Sequence, residues 1–176
     1  HPIYNYALVT DAEEGLILVD VNTLADGLPR NNFLKRALTW NDGNVLDGAR
    51  HITIAGYIVY ITTPNALVIL DLNDPLSPKL VNQIKMKDPR ASALQFRYLF
   101  VTDQDGLKIF DATSPSNISS LPVASVALND AKKVYVARTY AYVAAGKDGL
   151  AIINVKNPEK PALYEMFTAN GELNDA

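Results

Sequence analysis

Carboxylates at recurring positions are the groups in this chain best placed to do chemistry. Asp20, Asp71 and Asp111 each end an apolar run just before a turn, and Asn154 stands at the fourth such place. Metal or acid–base chemistry is one reading of such a set. Turn capping is the other, because a short acceptor at a strand end can take up free N–H groups of the turn. Asn154 can cap as well as an aspartate, whereas a catalytic carboxylate would not survive that exchange. A structural role is therefore expected. Asp103-Gln104-Asp105-Gly106 begins as a calcium loop does, but lacks the downstream glutamate at the required spacing. No catalytic residue, metal ligand or cofactor is expected from these groups.

Other chemistry is limited by composition. The 176 residues include no cysteine and two histidines, His1 and His51. Disulfides, thiol catalysis, cysteine-bound zinc, c-type haem and a histidine-rich metal site are thereby excluded. No Ser, His and Asp form a recognisable nucleophile elbow. Sixteen Lys and Arg stand against nineteen Asp and Glu, for a net charge of -3, so a basic nucleic-acid footprint is absent. Hydrophobic residues at 48% and charged residues at 20% are globular proportions,. No apolar run reaches the roughly 18 residues of a membrane span. Asn117-Ile118-Ser119 is a glycosylation sequon, meaningful only in a eukaryotic secretory setting. The start at His1 shows no signal peptide and reads as a processed chain or an excised piece.

The elements that must position any site come from a repeat. Strand-like runs begin at Tyr6, Tyr57, Tyr98 and Tyr140, spaced by 51, 41 and 42 residues. A second run follows each, at Leu16, Leu67, Leu107 and Leu150, spaced by 51, 40 and 43. These periods sit beside the roughly 40–45 residues of a propeller blade. Turn formers separate the two runs: Glu14-Gly15, Pro64-Asn65, Asp105-Gly106 and Asp148-Gly149,. A third strand is expected over 33–39, 80–86, 122–127 and 163–168, and a further one over 49–55, 91–96 and 131–137. Runs such as Leu67 to Leu70 are apolar at consecutive positions, which predicts burial on both faces. Sheets stacked radially satisfy this and leave only short edges.

Ala66-Leu-Val-Ile-Leu-Asp-Leu-Asn-Asp-Pro-Leu-Ser-Pro78 resembles the LVIVD repeat, as does Gly149-Leu-Ala-Ile-Ile-Asn-Val-Lys-Asn-Pro-Glu-Lys-Pro161. The resemblance implies an all-β propeller with blades of four antiparallel strands, of a kind found in bacterial and archaeal exported or cell-surface proteins. About four blades are expected, as part of a larger ring of six to eight. The units are 1–39 (incomplete), 49–87, 91–127 and 131–168, with 169–176 starting the next. The first copy departs most, with Leu24 where the early proline belongs and about ten extra residues.

In such a fold the inner strands line a channel, and binding concentrates where the chain leads into them. Arg50, His51, Lys132 and Lys133 fall there, with Arg90, and offer either a modest preference for anions or a solvated rim. The long connection from Thr39 to Gly48 carries the only tryptophan. Trp40, Asn41 and Asp42 read either as a recognition tip or as a side chain folded back over the blade edge. The expected function is a non-catalytic interaction or display scaffold, extracellular, on the cell surface or in the periplasm. Its partners would be other blades, another copy of the chain, or a surface protein. The alternatives are part of a hydrolase- or lactonase-like propeller with its catalytic residues on absent blades, or an accessory subunit of a surface redox assembly.

Overall fold

β-branched and aromatic residues dominate the apolar runs, and the described residues fold into fifteen strands joined by turns and short 3-10 segments,. The structure, a computed structural model, describes residues 2–168 and 170–176. The first and last units expected from the sequence include His1 and Ala169, which lie outside the described residues. The first sheet has three strands, β1 (Tyr6–Asp11), β2 (Gly15–Asp20) and β3 (Lys35–Trp40). The second runs β4 (His51–Ala55), β5 (Ile58–Thr62), β6 (Ala66–Asp71) and β7 (Lys79–Lys85). The third comprises β8 (Ala91–Gln95), β9 (Tyr98–Asp103), β10 (Gly106–Asp111) and β11 (Ala124–Ala127). The fourth comprises β12 (Lys133–Ala137), β13 (Tyr140–Ala144), β14 (Leu150–Asn154) and β15 (Ala162–Phe167). All pairings are antiparallel between chain neighbours, and β8 lies beside both β4 and β12. The sheets form propeller-like blades in an open arc, not a closed four-sheet ring.

Three apolar cores fill the three gaps. Leu16 and Leu18 of the first sheet meet Val59, Ile61, Val68 and Leu70 of the second. Tyr60, Leu67 and Ile69, on the opposite face of the second, meet Leu99, Val101 and Phe110. Phe100, Leu107 and Ile109 then meet Val134, Ala141, Val143 and Ile153. The consecutive apolar positions of β6 are thus divided between two cores, as burial on both faces requires. Each fully buried side chain of this size contributes about 1.5–3 kcal/mol.

One alignment of the repeats shifts. Ile58, not Tyr57, stands opposite Asp71, as Tyr6, Tyr98 and Tyr140 stand opposite Asp20, Asp111 and Asn154. Tyr57 lies in the hairpin, where its carbonyl accepts from Leu72 N at 2.8 Å, as Thr139 accepts from Val155 N. The cause is the turn: Gly56, Phe96 and Arg138 take the left-handed conformation, and register counts from them,.

The strand-end carboxylates cap turns. Asp20 Oδ1 accepts from Asn22 N, Asp71 Oδ1 from Asn73 N and Asp111 Oδ1 from Thr113 N. Asn154 Oδ1 accepts from Lys156 N at 3.0 Å in the same geometry. Asp103 is buried and takes Asp105 N at 2.8 Å, which assigns it to the hairpin; burial is the main influence and raises its pKa.

Candidate functional site

At the leading end of the inner strands, where the chain enters β4, β8 and β12, the cations are met by carboxylates of the following repeat. Arg50 reaches Asp88, 38 residues on, at 2.5 Å. Arg90 reaches Asp130, 40 residues on, at 2.6 Å, and Lys132 reaches Glu172 with the same separation. Within each lead-in the acid also holds its own base: Asp88 Oδ2 lies 3.0 Å from Arg90 Nε, and Asp130 Oδ2 3.4 Å from Lys132 Nζ. The result is a ladder of alternating charge from the second sheet to the segment beyond the fourth. Burial works against the charged form of Asp88, but hydrogen bonds and charge from Arg50 and Arg90 outweigh it and lower its pKa. The Arg90 hydrogen bond is the main influence lowering the pKa of Asp130, and the bond to Glu172 raises that of Lys132.

His51 and Lys133 begin β4 and β12, just inside the ladder. His51 Nδ1 accepts from Ser92 N at 3.2 Å, which places its proton on Nε2. Burial first, then the charge of Lys133, lower the His51 pKa, with Asp175 opposing. Lys133 Nζ itself lies 3.7 Å from Asp175. Threonine hydroxyls complete the joints: Thr62 donates to Arg90 O and Thr102 to Lys132 O, each at 3.1 Å. Arg50, His51, Lys132 and Lys133 therefore belong to one band, but the charges of Arg50, Lys132 and Lys133 are spent on neighbouring carboxylates and His51 is held as an acceptor by Ser92 N. Asp88, Asp130 and Glu172 are the members that residue type alone did not single out. For Asp88 and Asp130 the signal is an acid two residues ahead of the cation, in Asp88-Pro89-Arg90 and Asp130-Ala131-Lys132; Glu172 precedes Asn174 and lacks it.

Trp40, Asn41 and Asp42 do not join this band. Trp40 ends β3 opposite Leu16 and packs half-buried on the first core. Asn41 braces its loop, donating to Asp47 Oδ1 at 2.7 Å and accepting from Leu46 N at 2.8 Å. Asp42 is exposed in the short turn Asp42–Asn44. Among the described residues no cluster of three His, Asp or Glu is placed to hold a metal ion.

The hairpin end of the arc is built differently. Between the third and fourth sheets lies a groove of about 360 Å³ lined by Phe96, Arg97, Tyr98, Arg138, Lys156 and Pro158, among others. Phe96 is 91% exposed at φ 52, and Arg138 holds the corresponding place at φ 54. Arg97 lies 4.9 Å over the Tyr98 ring and 3.4 Å from Glu159, which also accepts from Tyr98 OH at 2.9 Å. Arg138 and Lys156 make no ion pair among the described residues.

The model of the LVIVD repeat matches residues 4–25, 48–85, 94–125 and 129–169. This chain belongs to the LVIVD-repeat family. The LVIVD chain is also similar to solved structures of propeller-like fold. One is a functionally unknown protein from Desulfotomaculum acetoxidans, at 13% identity and TM-score 0.74, covering 99% of this chain and 57% of that one. Another is the computationally designed Ika8 protein, at 9% identity and TM-score 0.69, covering 97% and 49%. A third is the N-terminal domain of Nup159, at 13% identity and TM-score 0.62, covering 94% and 42%. The LVIVD chain thus spans about half the length of these structures, and at such identities the likeness is one of fold. No curated protein matches the sequence.

Proposed function

We propose that this LVIVD-repeat chain is a non-catalytic protein-interaction module, displayed outside the cytoplasm as part of an exported or surface protein, and that it grips its partners at the hairpin end. Phe96 carries the reading. A bulky side chain in the left-handed region costs about 1–2 kcal/mol, and Gly56 fills the same place in the second sheet at no such cost,. Phe96 nevertheless stands there in solvent, beside a groove where Arg97, Arg138 and Lys156 outnumber the two acids on Arg97, Asp111 and Glu159. Aromatic and arginine side chains are the types that dominate protein interfaces. The ladder end offers less, because its charges are already paired.

The test is a titration of the isotope-labelled chain with a short peptide rich in Glu and Phe, followed by NMR. Shifts should centre on Phe96, Arg138 and Lys156. Phe96→Gly should weaken binding at least tenfold while raising the melting temperature, since the strain is relieved. Shifts confined to Arg50, Arg90 and Lys132, or a Phe96→Gly protein that binds as well as the parent, would sink the reading.

A further inference from the structure

The outward face of the fourth sheet repeats, position for position, the faces that form the three internal cores. Leu150 stands where Leu16, Leu67 and Leu107 stand, each paired with the last or next-to-last residue of the preceding strand. Ile152 takes the place of Leu18, Ile69 and Ile109, and Tyr142 that of Tyr60 and Phe100. Opposite Leu150 is Phe167, where Trp40, Ile84 and Val126 lie opposite their own leucines. Those three pack on cores, whereas Phe167 is 59% exposed. A shallow hollow beside it is lined by Leu150, Phe167, Glu172 and Leu173.

The first sheet carries the matching half. Val9, Ile17 and Val19 face away from the first core, at the positions that Ile61, Val68 and Leu70 use to meet the first sheet. Val9 is 45% exposed and Val19 half-buried, whereas Ile17 is already buried, at 6%. The fourth sheet therefore presents the kind of face that packs on a following sheet, and the first sheet the kind that packs on a preceding one.

We propose that a second copy of this chain docks on these flanks, the fourth sheet of one copy against the first sheet of the other. The contact continues the packing already made three times within the chain. Leu173 exchanges both backbone hydrogen bonds with Gly146, at 2.9 and 3.1 Å, and Glu172 extends the ladder from Lys132. In the docked pair this lead-in lies beside β1, whose inner edge has no strand partner among the described residues of the three-stranded first sheet. Such an edge is otherwise open to pairing. The contact is heterologous, and two copies bring together eight sheets, within the four to eight of propeller rings,. It concerns a surface separate from the Phe96 groove, so either reading can fail alone.

Sedimentation equilibrium of the chain over a wide concentration range is expected to give a dimer. Ile152→Asp with Phe167→Asp, and separately Val9→Asp, should each weaken self-association at least tenfold. The absence of cysteine supplies a second measurement that does not depend on tolerating a charge. Val9→Cys and Ile152→Cys proteins, mixed and mildly oxidised, should cross-link to each other in preference to themselves. A chain that stays monomeric at every concentration overturns the proposal. So does an Ile152→Cys protein that cross-links only to itself, which would make the fourth sheet its own partner.

Discussion

Protonating His51 removes an acceptor as well as adding a charge, because Nδ1 already takes the Ser92 N–H. Its folded pKa lies below the ordinary 6.5, so between those values the native state binds fewer protons than the unfolded one,. Stability is then fully present above pH 6.5 and falls as pH drops toward the folded value. Asp88 and Asp130, whose pKa values are lowered, act in the same direction in a lower window. Their contribution holds above the ordinary carboxylate value of about 3.9 and is lost below it. Urea unfolding of the parent and of His51→Asn, measured between about pH 8 and pH 5, should show a loss in the parent that the variant lacks. An equal slope in both would remove His51 as its source. At this scale the turn caps were legible, because Asn154 among three aspartates separates capping from catalysis. The ladder was less so. Its carboxylates sit just ahead of the strands, and their partners lie 38 or 40 residues away, a distance that becomes a contact only when the sheets stack.

Among the elements, strands and turns could be read because each follows local rules of alternation and turn chemistry. Tyr57 marks where that reading slipped. A tyrosine looks like the head of a strand, yet Gly56 is the left-handed residue, and the register counted from it leaves Tyr57 in the turn. Trp40 was ambiguous for a related reason: only the β2–β3 register sets it opposite Leu16 and so against the core. The β-hairpin between β13 and β14 is less forgiving. Gly149 has φ +91, and a Cβ there would run into the Phe167 carbonyl oxygen. Gly149→Ala combines left-handed strain of about 1–2 kcal/mol with overpacking of about 1–3 kcal/mol. It should therefore lower stability by roughly 2–5 kcal/mol and loosen β15 first. Denaturant unfolding of that variant checks the sum, and a loss below about 1 kcal/mol would mean that β15 moves aside freely.

Across the whole molecule, stability is close to a sum over neighbouring sheets, since each apolar core joins one sheet to the next,. The second and third sheets are covered on both faces, the first and fourth on one. Local opening in such an array follows burial and contact density. Hydrogen exchange in dilute solution should accordingly be slowest in β5, β6 and β9, where the side chains are almost wholly buried. It should be fastest in β3 and β15, whose side chains are mostly exposed. The gradient separates two kinds of cohesion. If apolar packing dominates, Arg90→Gln will leave the order unchanged and speed exchange only modestly at the leading ends of β8 and β12. If the ladder dominates, the same substitution will release the fourth sheet as a unit, and β13 and β14 will exchange together with β15. The first outcome is expected, because the ion pairs are partly solvent-exposed and contribute little individually,. The core between the third and fourth sheets, by contrast, includes eleven buried residues. Uniform exchange across all four sheets would contradict both the gradient and the nearest-neighbour account behind it.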